Sequence, residues 1–390
     1  MQNQNKDCEL RRVLILGGLS PGGREALTHL TSQCPSTYIR VVDKLHPEQL
    51  SICSRQKEAI EKCDYHQANL LDEKARKAAF FLQDHEEGKV VWDAVWNFEA
   101  EERLGLVPQV YARWVEEVSV QCAKEAAAVS ARLFLHISTA MIYADTGKEC
   151  TESSALSSSS MPWAQAHIRA EENLRNIPDL PLVILRPSII YGTDDTKFIA
   201  HLLVCGRIYQ ALKEPMYTLH PHARQVNTVH AFDLAAASLH LSQWYLKQKI
   251  VGCKVYNLSD PGRTTVEKLN GLVGRLFGIS VKSKSWIMTK AMDLTRSAMD
   301  EANEKHLGPW SKLLEASGVQ YSPLTPYLDP EYFDGHNVSV DGEAIVRETG
   351  FQYRYPVMTE QVLQTLMEEW STMGIWPKED VDLQSVTTIA

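Results

Sequence analysis

Six short apolar runs, separated by longer helical periods, constrain this chain more than any other feature. The runs are VLILGG, TYIRVVD, CDYHQANL, VVWDAVWNF, RLFLHIST and LPLVILRPSIIYG. Apolar strands that alternate with amphipathic helices predict a parallel sheet covered by helices on both faces. The sequence therefore predicts an α/β fold with a doubly wound parallel sheet, whose ligand crevice lies at the carboxyl ends of the strands.

The strand and helix pattern changes after Gly192. A length of 390 residues exceeds one ordinary single-core domain. A proline-containing, helix-rich stretch with isolated strand-like pieces follows. We predict a sheet domain over residues 10–192, to which a strand and helix in 225–260 return. A smaller lobe over 193–224 and 261–374 would bind substrate, and 375–390 would form a loose tail.

Charge and composition exclude several classes of partner. The chain has 40 Lys and Arg against 49 Asp and Glu, a net charge of −9, so we expect neither nucleic acid nor an anionic membrane as a partner. The start is polar, and no apolar run is long enough to span a membrane. The eight cysteines lie scattered without metal-ligand spacing, which indicates reduced thiols in a cytoplasmic protein and no metal site.

A glycine-rich turn follows the first apolar run. It covers Gly17 to Gly23 and leads into a helical pattern, and glycine there lets backbone N–H groups approach a pyrophosphate. The second strand ends in Asp43, 26 residues after Gly17, where an acid can hold a ribose 2′-OH and would repel a 2′-phosphate. NAD(P) is therefore the candidate cofactor, with NAD favoured over NADP. The alternative, turn glycines and an acid that only ends a strand, stays open.

Further motifs follow the glycine turn and Asp43 along the chain: Asn69-Leu70, DAVWNFEAE, Ser138 to Tyr143, Arg186 to Gly192, Val229 to Asp233, VYNLSD and TGFQYRYPVMTEQVLQTLMEEW. With these motifs, the chain from about Arg11 to Gly374 resembles the extended short-chain dehydrogenase/reductase family, the NAD-dependent epimerases and dehydratases. The resemblance implies a Rossmann domain, a C-terminal substrate lobe with a cleft between the two, and cofactor contacts from Gly17, Ser20, Gly23, Asp43 and Asn69.

Two departures from the family pattern affect the cofactor site. Ser20 stands where the family has the second glycine of its turn, and a Cβ there keeps the backbone farther from a phosphate. Strand four carries Glu99 where the family has small residues, and its carboxylate would oppose anionic phosphates in a partly dry cleft. A protein without any cofactor therefore remains an alternative.

Two more departures affect the catalytic pair. The resemblance implies a Tyr acid/base, a Lys four residues later and a Ser or Thr from strand five, and these positions hold Trp163, His167 and Thr139. An indole N–H only donates, so Trp163 cannot shuttle a proton, whereas His167 can. Each of Thr139, His167, Glu99 and Trp163 has an alternative structural role as a cap, a packing residue or a solvent-facing charge.

Three functions fit these observations. We favour a non-redox isomerisation, elimination or cyclisation, including a pericyclic one, of an apolar small molecule such as a secondary-metabolite intermediate, with Thr139, His167 and Glu99 as polar groups. The apolar substrate is suggested by Trp96, Phe98 and Trp163. The alternatives are an NAD(P)-dependent oxidoreductase, epimerase or dehydratase with an unusual proton relay, and a redox-dead binding protein. A homodimer is a further expectation.

Overall fold

A computed structural model describes residues 10–82, 91–157, 161–218, 223–283, 292–327, 337–381 and 383. Its central feature is a seven-stranded sheet in which every neighbouring pair is parallel. The predicted doubly wound parallel sheet is therefore confirmed. Its strands, in chain order, are β1 (Arg12–Leu16), β2 (Tyr38–Asp43), β3 (Asp64–Gln67), β4 (Ala94–Asn97), β5 (Phe134–Ile137), β6 (Leu182–Pro187) and, after the short strands named next, β10 (Cys253–Leu258).

Four short strands, twelve α-helices, two 3-10 turns (Pro47–Gln49 and Ala140–Ile142) and one π-helical segment (Ala112–Glu117) complete the described elements. The strands are β7 (Ile189–Tyr191), β8 (Met216–Thr218), β9 (Thr228–His230) and β11 (Val281–Ser283). The helices are α1 (Pro21–Gln33), α2 (Ser54–Glu61), α3 (Glu73–Phe80), α4 (Pro108–Tyr111), α5 (Val118–Ala128), α6 (Pro162–Arg175), α7 (Phe198–Leu212), α8 (Ala231–Lys247), α9 (Val266–Phe277), α10 (Met292–Ser317), α11 (Glu343–Thr349) and α12 (Glu360–Thr372). Among the described residues, no helix has the length and apolar character needed to cross a membrane.

The order of the seven strands is β10-β6-β5-β4-β1-β2-β3. The chain begins in the interior of the sheet at β1, runs outward through β2 and β3, and returns to the other side of β1 at β4. The strand order thus reverses at β1, and in such sheets the ligand crevice lies outside the carboxyl ends of the strands at that point. Residues that follow β1, β2 and β4 therefore define the site.

Apolar side chains bury both faces of this sheet. Leu14 and Leu16 of β1 and Val95 of β4 belong to one core cluster with residues of α5. On β4, Trp96 is fully buried, and its indole Nε1 donates a 2.8 Å hydrogen bond to Ser242 Oγ of α8. The near-continuous burial of these short strands explains why their sequences lack a polar face.

Contacts between Cα atoms divide the chain into two units. One contains residues 1–188, 229–259 and 340–354, and the other contains 189–228, 260–339 and 355–390. The division differs from the predicted boundaries at 340–354, which the sequence assigns to the smaller lobe, and at 189–192 and 225–228, which it assigns to the sheet domain. The local sequence around α11 does not predict that 340–354 belong to the first unit, because the contacts that place them there join segments far apart in the chain.

The predicted loose tail is wrong for residues 375–381. Ile375 and Trp376 are buried in the core of the second unit. The guanidinium of buried Arg207 on α7 donates hydrogen bonds to the backbone carbonyls of Lys378 and Val381, at 2.7 and 2.9 Å. The segment lacks an apolar period, yet a buried cation and two apolar anchors hold it. Residues 384–390 lie outside the described part.

Among the described residues, one cysteine departs from the sequence prediction. Six of them, Cys53, Cys63, Cys122, Cys150, Cys205 and Cys253, are free thiols. Cys34, which follows α1, takes part in a disulfide bond, contrary to the expectation that all eight would be reduced.

Candidate functional site

The glycine turn after β1 lies directly against the chain that follows β4. Gly17 has φ +67°, and a Cβ built on it would come within 2.5 Å of the Glu99 backbone nitrogen. Both the left-handed backbone and the close approach require glycine here. A Cβ on Gly23, in the first turn of α1, would lie 2.4 Å from the Gly17 carbonyl oxygen. The two glycines therefore let the turn pack closely against the chain after β4 and against the first turn of α1.

Ser20 occupies the amino terminus of α1. It is the N-cap residue, and its Oγ accepts a 3.2 Å hydrogen bond from the Gly23 N–H. A serine cap satisfies one of the backbone donors that a helix leaves free at this end. The Gly23 N–H, which a phosphate would otherwise approach, is thus already satisfied by the side chain that replaces the family's glycine.

The carboxylate of Asp43 is directed at the same turn. It is buried, and its Oδ2 accepts a 2.8 Å hydrogen bond from the Leu19 N–H while its Oδ1 accepts one of 2.9 Å from the Leu45 N–H. Asp43 therefore fixes the glycine turn to the end of β2. Each oxygen has one backbone partner, which leaves it further acceptor capacity.

An ion pair joins the residues that follow β2 and β4. The Lys44 Nζ donates a 3.0 Å hydrogen bond to Oε1 of Glu99, whose side chain is only 5% exposed. Because β2 and β4 both pair directly with β1, the two side chains meet over the carboxyl end of β1, across a span of about 10 Å between the flanking strands. We call this pair the Lys44–Glu99 bridge.

Burial dominates the electrostatics of Glu99. It raises the pKa of the carboxyl group, the charge of Lys44 opposes this rise, and the nearby charge of Asp43 adds to it. The pKa of Glu99 therefore stays above its usual value although it has a cationic partner. Taking two charges out of water is costly, and Lys44 compensates by binding Glu99 directly.

A π-helical segment contacts the Lys44 end of the bridge. Residues Ala112–Glu117, between α4 and α5, form this segment, a rare conformation that often marks functional sites. It presents Trp114 so that the Lys44 Nζ lies 4.2 Å from the centroid of the indole ring. The Trp114 carbonyl also accepts a 3.1 Å hydrogen bond from the Glu101 N–H. Lys44 is thus held by a carboxylate and a cation–π contact together.

Trp163 and His167 lie in the first two turns of α6. The Trp163 Nε1 donates a 2.9 Å hydrogen bond to the Glu101 carbonyl oxygen. The His167 ring contacts the Trp163 ring edge to face, with centroids 4.7 Å apart, and His167 is buried. The indole N–H is therefore committed to the backbone after β4, and an imidazole lies beside it.

Thr139 lies just beyond β5. Its Oγ1 accepts a 3.2 Å hydrogen bond from the Met141 N–H and so caps the short 3-10 turn over Ala140–Ile142. Ile142 of that turn packs with Trp163 and its α6 neighbours in one apolar cluster. The structural role considered for Thr139 is thus present, and its hydroxyl proton is still able to serve a ligand beside α6.

Three other predicted residues lie elsewhere. Trp96 points into the core against α8, so it cannot line a pocket, and Phe98 is buried against Gly22 of α1. Asn69 is exposed beyond the edge strand β3, where its Oδ1 accepts a 3.0 Å hydrogen bond from the Leu71 N–H. Of the aromatic residues chosen from the sequence, only Trp163 lies beside His167.

Sequence reasoning missed Lys44 and Trp114. Lys44 directly follows the strand-end acid, which was a usable signal, because a cation there can meet a side chain from β4. Trp114 gave no signal, because its placement depends on the π-helical segment. In the described ranges, no group of three or more His, Cys, Asp and Glu side chains could hold a metal ion.

The residues around the glycine turn do not fit a dinucleotide in this arrangement. Ser20 takes the Gly23 N–H, and the Lys44–Glu99 bridge crosses the carboxyl end of β1, where the pyrophosphate and ribose of a dinucleotide lie in this fold class. The acidic Glu99 side chain would also lie beside the phosphates. Asp43 and Gly17 keep the places that such a ligand needs.

Comparison with known proteins identifies the relatives of this chain. Residues 13–258 match the model of the NAD dependent epimerase/dehydratase family. No curated protein matches the sequence.

Solved structures share the fold at low identity. UDP-glucose-4-epimerase from Stenotrophomonas maltophila, with bound NAD and formylated UDP-arabinopyranose, is similar at 16% identity and TM-score 0.66, over 93% of this chain and 98% of that one. UDP-glucuronic acid 4-epimerase from Bacillus cereus, in complex with UDP-glucuronic acid and NAD, is similar at 13% identity and TM-score 0.64, over 93% and 99%.

Proposed function

This chain belongs to the NAD dependent epimerase/dehydratase family, and we propose that it is an enzyme that acts on a small molecule. We propose further that its reaction is a non-redox isomerisation, elimination or cyclisation. The observation that carries this proposal is the hydrogen bond from Trp163 Nε1 to the Glu101 carbonyl, at the position of the family's catalytic tyrosine.

The Trp163 bond removes the family's proton relay. A tyrosine hydroxyl can lose and regain a proton, whereas an indole N–H only donates, and here its one donor is committed to a backbone carbonyl. His167 stands in place of the lysine, buried and in ring contact with Trp163. A histidine cannot lower the pKa of a tyrosine that is absent, so the pair cannot assist hydride transfer in the family's way.

The remaining groups suit proton transfer without redox change. His167 can accept a proton from one carbon of a substrate and return it to another, which conserves atoms and electrons in an isomerisation. Thr139 can donate its hydroxyl proton to a carbonyl oxygen on which negative charge develops. The half-buried Trp163 ring supplies apolar surface for the substrate.

Isotope transfer tests this proposal. The protein is incubated in D2O with a panel of UDP-sugars and apolar enones, and NMR follows deuterium incorporation and new products without added dinucleotide. We expect turnover that is lost in His167→Ala and Thr139→Ala and retained in Trp163→Phe. A parallel series uses 4-deuterated NADH and NADPH. Transfer of that deuterium to a substrate would show that the reaction is redox.

The second candidate is an NAD(P)-dependent oxidoreductase or epimerase with an unusual proton relay. The left-handed Gly17 and the strand-end Asp43 favour it, because both suit a dinucleotide. Deuterium transfer from NADH that persists in Trp163→Phe and falls in His167→Ala would establish it. A redox-dead binding protein would give neither exchange nor transfer with any member of the panel.

A further inference from the structure

We propose that the Lys44–Glu99 bridge closes the nucleotide site of this chain to dinucleotides, and that the Glu99 side chain is the group that keeps it closed. The proposal concerns binding only. If it holds, the NAD(P)-dependent candidate fails, and if it fails, the non-redox reaction can still stand.

The bridge obstructs the path that a dinucleotide takes across the carboxyl end of β1. Lys44 follows β2 and Glu99 follows β4, the two strands on either side of β1, and their side chains meet at 3.0 Å. The Glu99 backbone already touches Gly17, so the Glu99 side chain starts at the floor of the crevice. A dinucleotide that crosses from one side of β1 to the other would have to displace this pair.

The charges at the glycine turn also oppose the binding of a dinucleotide. A dinucleotide brings two phosphate charges to the glycine turn, beside which Glu99 places a buried acidic side chain. Lys44 is a cation that could compensate for a phosphate, but it binds Glu99 and lies over the Trp114 ring, and the buried Arg24 guanidinium donates to the Leu19 carbonyl oxygen of the same turn. With both partners paired, the site offers a phosphate a buried carboxylate and no uncommitted ammonium group.

The two partners should therefore behave differently when removed. Glu99→Ala removes the carboxylate and its bulk and leaves Lys44 beside the glycine turn, where it can bind a phosphate. Lys44→Ala leaves the Glu99 carboxylate in the crevice without its cation, near Asp43. Glu99→Ala should therefore open the site, whereas Lys44→Ala should leave it blocked by the Glu99 side chain and without the Lys44 cation for a phosphate.

Titration with NADH and NADPH, followed by nucleotide fluorescence and by calorimetry, tests this asymmetry in the full chain. We expect the wild type and Lys44→Ala to show no saturation below about 1 mM, and Glu99→Ala to bind at least about tenfold more tightly than the wild type. Glu73→Ala provides the control, because it removes a Glu–Lys pair exposed on α3 and should bind like the wild type.

Two results would overturn the proposal. One is saturable binding of either nucleotide by the wild type at micromolar concentrations, since the bridge would then be no barrier. The other is a folded Glu99→Ala that binds no more tightly than the wild type. Thermal unfolding establishes that each variant is folded, and Glu99→Ser replaces Glu99→Ala in the same comparison if the alanine variant does not fold.

Discussion

Replacing His136 should remove part of the acid sensitivity of the fold. His136 lies on β5, buried, and its Nδ1 is 3.1 Å from Nδ2 of Asn97. Nε2 has no hydrogen-bond partner among the residues that the structure describes. Burial lowers the pKa of His136 from 6.5 to about 4, and the charge of Glu171 only partly opposes this. The imidazole is therefore neutral in the folded protein at pH 5.

The sign and size of the effect follow from proton linkage. The unfolded chain binds a proton at this histidine below about pH 6.5, whereas the folded chain does so only near pH 4. The free energy of unfolding is thus unaffected above pH 7 and falls as the pH drops from 6.5 towards 4. From these two pKa values, His136 alone should cost about 2 kcal/mol at pH 5 relative to pH 7.5.

Urea unfolding between pH 5 and pH 7.5 measures this slope. In His136→Gln, which cannot titrate, the stability lost on acidification should be smaller than in the wild type by about 2 kcal/mol. The absolute stability can change as well, so the comparison uses the difference between the two pH values. His46→Gln, at an exposed histidine, should keep the wild-type slope. Equal slopes for His136→Gln and wild type would refute the argument.

Three further substitutions test other parts of the structure, each by urea or thermal unfolding. Gly17→Ala should cost more than about 2 kcal/mol, because it strains a left-handed backbone and places a Cβ against the chain after β4, and a cost below 1 kcal/mol would contradict the described turn. Ser20→Ala should cost about 1 kcal/mol by removing the cap of α1, and a neutral effect would show that the cap does not form. Glu171→Gln should cost about 3–5 kcal/mol, because it leaves the Arg186 guanidinium, 1% exposed, without its carboxylate partner. The exposed Glu73→Gln should be close to neutral, and equal costs for the two would argue against a buried pair.

The sheet could be predicted because each strand carries its own signal. VLILGG becomes β1, which ends at Leu16 where the glycine turn begins. LPLVILRPSIIYG was one apolar run, but the structure divides it after Pro187 into β6 and β7. The position of β10 at the sheet edge beside β6 depends on pairing across about 70 residues, which local patterns do not encode.

The site was predictable only in its local parts. Gly17 and Asp43 were found because the turn and the strand end each carry a short motif. The Lys44–Glu99 bridge was missed because its two residues are 55 positions apart and meet only through the strand order. Trp163 was recognised as a donor that cannot ionise, but its acceptor, the Glu101 carbonyl, depends on the path of the backbone after β4.

The departures at Glu99 and Trp163 act on one short segment and are therefore coupled. Glu99 ties the start of that segment to Lys44, and Trp163 ties it at Glu101, two residues later. The backbone of Glu101 is also held by the Trp114 carbonyl. A chain that regained only the tyrosine at position 163 would lose one tie and keep the bridge across β1. A chain that lost only the bridge would still hold Trp163 at the position of the family's tyrosine. Under the proposed function, the residues at positions 99 and 163 therefore belong to one site, joined through the segment between Glu99 and Glu101.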